Sequence, residues 1–372
     1  MRLLIGMPDP GTRSGPNACE PPFVAALRAL DVEVTEQTFV FGDNLEAVGA
    51  ASRINRVVRT AWRLRKAARA RRFDLVHLNT SFDAKTVARD SVTLLLLGRS
   101  IAPVFLKLHG SDATVLTRGS RPVRWLARHV LDRAAAIGVL SSEERDAFVA
   151  AGIPARKLHV VPNALPAVPA TTSHECFLAT YALPPKTPLL LFISRLVPTK
   201  GLLDAVRACG LLRDRGRRVV LCCVGDGPAR ADAEAEAARL ELGESVRFFG
   251  YLPEAEATAF YHRCDALVFP TFHDEGLPIV LLNALAAGLP ILTTRTRAAI
   301  DYLEEPDTCL WVQPHRPDCL ADRVEELLDD EALRAGMRKR ERECARQFEP
   351  ANVARVYADL YAGISAAAKA SP

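Results

Sequence analysis

The 372-residue chain has no apolar run approaching the ~18 residues of a membrane-spanning helix, and its opening Met1 to Gly6 is too short for a secretory leader. Its nine cysteines are scattered, with no C-x2-C pair and no paired histidine spacing, so neither a zinc module nor a disulfide framework is indicated. Buried free thiols in a reducing cytoplasm are the expectation. There is no G-x-G-x-x-G and no Walker sequence, which removes the main support for nicotinamide and P-loop readings. A net charge of +4 is too small to imply nucleic acid by itself, and none is expected as a partner.

What is present is an ordinary globular composition, 49% hydrophobic and 25% charged, on a chain too long for one average core. Two domains are expected. Short apolar runs alternate with helix-length segments in both halves, which predicts an α/β protein. Residues 1–165 form the first half; a segment with six prolines between Pro162 and Pro188 reads as a linker over 166–187. The alternation restarts over 188–348, and an amphipathic helix closes the chain over 349–372.

Between Glu46 and Asp74 there is no acid, while nine Lys or Arg residues stand there. At 3.6 residues per turn Arg56, Arg59, Arg63 and Lys66 share one face, and Ile54, Val57, Val58, Ala61, Leu64 and Ala68 lie opposite as an expected core stripe. A solvated charged face is one reading, but such faces mix signs through i,i+4 pairs and this one does not. Two others are docking on anionic lipid head groups and gripping the pyrophosphate of a lipid-linked acceptor.

Several apolar runs end in polar residues at the carboxyl end of a predicted strand, where doubly wound sheets place ligands. In the first half these are the Gly15-containing loop 8–17 after the first strand, residues 77–81 around the strand Phe73 to Leu78, and His109-Gly110-Ser111-Asp112 after Val104 to Leu108. In the second, Ser194-Arg195-Leu196-Val197-Pro198-Thr199-Lys200-Gly201 follows the strand Leu189 to Ile193; its Arg and Lys suit a phosphate. A third stretch, 270–290, passes through Glu275 and Gly276 into a helix with Pro278 in its first turn and Gly288 as its stop. Asn283 is the one polar side chain of that helix. It bonds either a backbone carbonyl or a ligand, since leaving it unsatisfied costs roughly 1–3 kcal/mol.

These strings resemble the GT4 family of retaining glycosyltransferases. The residues that carry the resemblance are Glu275-Gly276-Leu277-Pro278, Ala287-Gly288-Leu289-Pro290, Arg195 and Lys200-Gly201, Val224-Gly225-Asp226-Gly227-Pro228, Leu108-His109-Gly110-Ser111-Asp112 and the strand Val246 to Leu252. Three positions depart from the family pattern: Asn283 replaces the second acid of Glu-x7-Glu, Ser14-Gly15 stands for a Gly-Gly pair, and Ser194 replaces a Gly.

The resemblance implies a GT-B fold, two Rossmann-like domains facing across a cleft, the first holding the acceptor and the second a nucleotide-diphosphate sugar. It implies that Arg195 and Lys200 neutralise the donor diphosphate, and that Glu275 and His109 position the transferred sugar. Gly15, Gly250, Tyr251, Gly276, Leu277 and Asn283 would complete the donor site; Asp112 would touch sugar or acceptor. The final helix would return to the first domain.

The expected activity is metal-independent hexosyl transfer with retention, from a UDP- or GDP-sugar to a glycan or lipid-linked acceptor in cell-surface polysaccharide or glycolipid synthesis. No cofactor or divalent metal is expected, because no Asp-x-Asp stands at a strand end and bases meet the phosphate charge. The expected location is the cytoplasm, with peripheral attachment to an anionic inner membrane face. A non-catalytic nucleotide- or partner-binding protein and a sugar-nucleotide epimerase are the alternatives.

Overall fold

The computed structural model describes residues 1–10, 15–39, 50–98, 102–166, 172–273 and 276–370. The chain divides into two compact units, Met1–Pro166 with Glu275–Leu277 and Phe348–Pro372, and Ala167–Asp274 with Pro278–Gln347.

The first unit is built on a six-stranded sheet of β1 (Arg2–Met7), β2 (Glu33–Thr38), β3 (Leu75–Phe82), β4 (Val104–Ser111), β5 (Ala136–Val139) and β6 (Leu158–Val160), ordered β2-β1-β3-β4-β5-β6. Its helices are α1 (Gly15–Ala29), α2 (Ala50–Ala70), α3 (Ala84–Leu97), α4 (Val115–Arg118), α5 (Arg121–Arg133) and α6 (Ser142–Ala150). All neighbouring strands are parallel, so both faces need covering, and the aliphatic runs are buried throughout. Leu3 and Ile5 enter one core with Phe23 and Leu27 of α1, whereas Leu4 enters the other with Leu64, Leu94 and Val130 of α2, α3 and α5. Strand alternation thus splits the helices into two layers.

The second unit repeats the plan with β7 (Leu189–Ile193), β8 (Val220–Val224), β9 (Val246–Gly250), β10 (Ala266–Phe269), β11 (Ile291–Thr294) and β12 (Leu310–Val312), ordered β12-β11-β10-β7-β8-β9. Its helices are α7 (His174–Thr180), α8 (Leu202–Asp214), α9 (Arg230–Arg239), α10 (Glu254–Arg263), α11 (Ile279–Ala287), α12 (Arg297–Tyr302), α13 (Pro317–Asp329) and α14 (Glu331–Ala345). The last helix, α15 (Pro350–Ala370), belongs to the first unit, where it packs on α1 and buries Tyr357 and Tyr361.

Four local readings change. The proline-rich segment read as a linker contains α7, started by Ser173, whose hydroxyl accepts from the Cys176 amide, and held by Phe177 edge-on to Phe260 at 4.9 Å. Gly15 opens α1 rather than standing in a loop, since Pro16 suits a first helical turn. His109 lies inside β4, because parallel pairing with β3 continues as far as Phe82 opposite Ser111. Ile54 and Val58 are exposed; the core contacts of α2 come from Ala61, Leu64 and Ala68, one arc further round the helix.

Candidate functional site

In the second unit the strand order reverses between β7 and β10, the position where doubly wound sheets bind ligands beyond the strand ends. The loop 194–201 leaves β7 there and is tied to both neighbours. The Ser194 amide donates to the Val224 carbonyl at 3.1 Å and the Leu196 amide to that of Asp226 at 2.9 Å. The Phe272 amide donates to the Thr199 carbonyl at 2.9 Å, and the Thr199 hydroxyl meets His273 Nδ1 at 2.8 Å.

Close backbone approach explains the glycines. Gly201 has φ +80°, and a Cβ on it would overlap the carbonyl oxygen of Pro270; one on Gly225, φ +126°, would overlap that of Ser194. Arg195 is exposed on this loop, while Lys200 is buried with Nζ 5.5 Å from the centre of the Phe269 ring. Gly250, φ +70°, ends β9 and accepts through its carbonyl from the Gly225 amide at 2.7 Å, leaving Tyr251 exposed beside it. The structure therefore brings the loops carrying Arg195, Lys200, Gly250 and Tyr251 to one edge of one sheet.

Glu275 lies outside the described residues. Gly276 and Leu277 are buried, and Pro278 occupies the cap position of α11 with extended ψ, one residue before the first helical turn in which it was expected. Gly288 stops α11 at φ +64°. Asn283 is half-buried, with its side-chain amide beside the hydroxyl of Tyr261 on α10.

In the first unit His109 sits in a buried polar network that motif reading missed. Glu20 on α1 places Oε1 2.7 Å from Lys107 Nζ and 3.4 Å from His109 Nε2, and Oε2 accepts from Asn79 Nδ2 at 3.1 Å. Asn79 Nδ2 also donates to the Gly6 carbonyl at 3.1 Å, so both amide hydrogens face acceptors and its Oδ1 faces His109 Nε2 at 2.8 Å. This orientation makes Nε2 the protonated nitrogen and Nδ1 the lone-pair nitrogen. Burial, reinforced by the Lys107 charge, lowers the His109 pKa, keeping the ring neutral. Burial pushes Glu20 upward, but Lys107 and the hydrogen bond from His109 outweigh it, and the carboxylate is held ionised.

Lys107 also lies 5.3 Å from the centre of the Tyr357 ring and 5.5 Å from that of Phe23, which helps a desolvated ammonium. A lone lysine in the apolar run Val104 to Leu108 was the available signal, because a strand buried on both faces must pair it. Cys19 Sγ, Glu20 and His109 form a potential ligand set within 4.8 Å, yet Lys107 already supplies the positive charge and burial pushes the Cys19 thiol up to about 12. The carboxylate charge within the set is met by Lys107.

The remaining sequence-predicted residues stand apart from this network. Asp112 is exposed, and its Oδ1 accepts from the amide and hydroxyl of Thr114 at 2.9 and 2.6 Å, making a local turn. Gly15 is exposed at the start of α1. Arg56 pairs with Asp9 at 2.8 Å; Arg59, Arg63 and Lys66 are exposed on α2.

Two family models cover most of this chain: the Glycosyl transferase 4-like domain matches residues 13–164, and Glycosyl transferases group 1 matches residues 177–344. The chain belongs to the GT4-type, group 1 glycosyltransferase family. Among curated proteins it is 35% identical over 225 residues to the 2-deoxystreptamine glucosyltransferase of Streptomyces kanamyceticus, covering 57% of this chain and 56% of that protein. It is 27% identical over 290 residues to the alpha-D-kanosaminyltransferase of the same organism, covering 74% of each. The first of these matches spans little more than half of its relative's length. Among solved structures, Anabaena HepE in complex with UDP and glucose superposes with a TM-score of 0.73 at 17% identity, covering 97% of this chain and 99% of that one. The fold is GT-B.

Proposed function

We propose that the protein is a retaining glycosyltransferase that moves a hexosyl group from a nucleotide-diphosphate sugar, with UDP as the nucleotide, to a glycan or lipid-linked acceptor. The observation that carries this reading is the stitching of the Arg195–Lys200 loop to residues 270–273 at the β7–β10 reversal. In this reading the acceptor oxygen replaces the diphosphate oxygen at the anomeric carbon with configuration kept, and the acceptor's hydroxyl proton is released. Arg195 and Lys200, with amides at the start of α8, neutralise the departing diphosphate, the electrostatic contribution that dominates such catalysis. Neutral His109 and Glu275 position the sugar. Two basic side chains meet the diphosphate charge, so no divalent metal is required. The UDP held by HepE supports the choice of nucleotide.

A second reading of the acceptor, a small soluble aminocyclitol, is favoured by the 35% identity to a 2-deoxystreptamine glucosyltransferase. The test is calorimetric titration with UDP, GDP and their sugars, with magnesium and with EDTA, followed by turnover on lipid-linked and aminocyclitol acceptors. UDP binding indifferent to metal and abolished in Lys200→Ala is the expected result. No nucleotide binding by the folded protein would favour the non-catalytic alternative, which Asn283 and the single Gly15 motivate; conversion of the donor without acceptor would favour the epimerase.

A further inference from the structure

Beyond the carboxyl ends of β10, β11 and β12 the second unit has a cavity of about 600 Å3, set between the segments 271–272, 294–296 and 311–314 and the side chains of α13. That volume suits a small molecule. The cavity lies on the β12 side of β10, whereas loop 194–201 leaves β7 on the other side. It is therefore separate from the edge where Arg195 and Lys200 stand.

Three charged side chains line it: Arg295, Glu305 and Arg323. Two of them are already engaged. Glu305 Oε1 accepts from the Trp311 amide at 3.1 Å and lies 3.2 Å from Arg323 Nη2, while Arg323 also pairs with Glu326 at 2.6 Å. Arg295 is left over. It is exposed, meets no carboxylate within ion-pair distance among the described residues, and has its guanidinium 4.9 Å from the centre of the Trp311 ring. A guanidinium over an indole face is restrained there, yet keeps N–H donors for an anion.

The rest of the lining is mixed: Phe272, Val312 and Pro314 are apolar, while Thr296 and Gln313 carry a hydroxyl and an amide. An inorganic anion on Arg295 would fill only a small part of the space. A monosaccharide matches such walls, with C–H faces for the apolar side chains and hydroxyls for the polar ones.

We infer that this cavity binds an anionic monosaccharide, with its phosphate or carboxylate on Arg295 and its ring against Phe272, Val312 and Pro314. The planar fork of an arginine accepts either group in two parallel hydrogen bonds. Trp311 is the platform that holds Arg295, and Glu305 fixes the Trp311 backbone in turn. None of these residues belongs to the strings that resemble the family motifs, and the site stands independently of the proposed transfer.

The test is calorimetric titration of the full chain with glucose 6-phosphate and with glucuronate, against glucose and inorganic phosphate as controls. At least one of the anionic sugars should bind about tenfold or more tighter than either control, because the charged group and the ring each contribute. Arg295→Gln should weaken that binding by about tenfold or more, and Arg295→Lys by less. Both variants should melt with the wild type, since the side chain is exposed. In Trp62→Phe/Trp125→Phe, Trp311 is the sole tryptophan, and its fluorescence should change saturably with the same midpoint. Saturating UDP should leave the sugar bound, which separates this cavity from the donor loops. Failure of both anionic sugars to bind, equal binding of glucose or phosphate, an Arg295→Gln isotherm like that of the wild type, or displacement by UDP would overturn the inference. A chain that binds the sugar but no UDP would support this site while counting against the donor reading.

Discussion

Lys107 Nζ and Glu20 Oε1 lie 2.7 Å apart with both side chains withdrawn from solvent, joining β4 to α1 across 87 positions of sequence. Removing one partner leaves a buried charge uncompensated. Glu20→Gln and Lys107→Met should each cost about 3–5 kcal/mol in urea unfolding, and the double substitution should recover part of that loss. A cost below about 1 kcal/mol for either would mean that the pair behaves as a solvated one.

His77 supplies a pH dependence. Burial drives its pKa from 6.5 down to about 3, and its Nδ1 meets the Tyr361 hydroxyl at 2.6 Å. The folded state keeps the ring neutral while the unfolded chain protonates it, so the unfolded state binds more protons in this interval. The stability contribution is therefore complete above 6.5 and is lost as pH falls towards about 3. Melting temperatures of the wild type and His77→Phe over that window should diverge less as the medium becomes more acid; an identical slope in both would reject the assignment.

Gly201 couples backbone geometry to donor binding. With φ +80° and the Pro270 carbonyl against its Cα, Gly201→Ala forces loop 194–201 away from residues 270–273. We expect a loss of about 1–3 kcal/mol in stability and a weaker UDP isotherm. Unchanged affinity with reduced stability would separate this contact from the donor site.

Asn283→Glu exchanges the amide beside the Tyr261 hydroxyl for a carboxylate, which offers ribose hydroxyls a charge-assisted acceptor. Donor binding should tighten severalfold, by roughly 1 kcal/mol. A dissociation constant that rises or stays the same, measured by calorimetry, would count against placing the ribose beside residue 283.

The second unit was readable because its chemistry is contiguous. Strand, glycine turn and helix start follow one another within 189–202, and so do the residues that suit a phosphate. Each glycine there answers a local steric demand that a motif preserves. Composition and alternation likewise specified two parallel α/β halves, because both sheet faces must be covered and aliphatic runs mark such strands.

What only the tertiary structure decided were relationships between distant positions. Glu20, His77, Asn79, Lys107, His109 and Tyr361 come together from four elements, and no spacing in the chain encodes that meeting. The helical wheel of α2 separated basic from apolar residues correctly but assigned Ile54 and Val58 to the core. Which arc of a helix is covered depends on the neighbours that pack against it, and periodicity alone carries no record of where those neighbours stand.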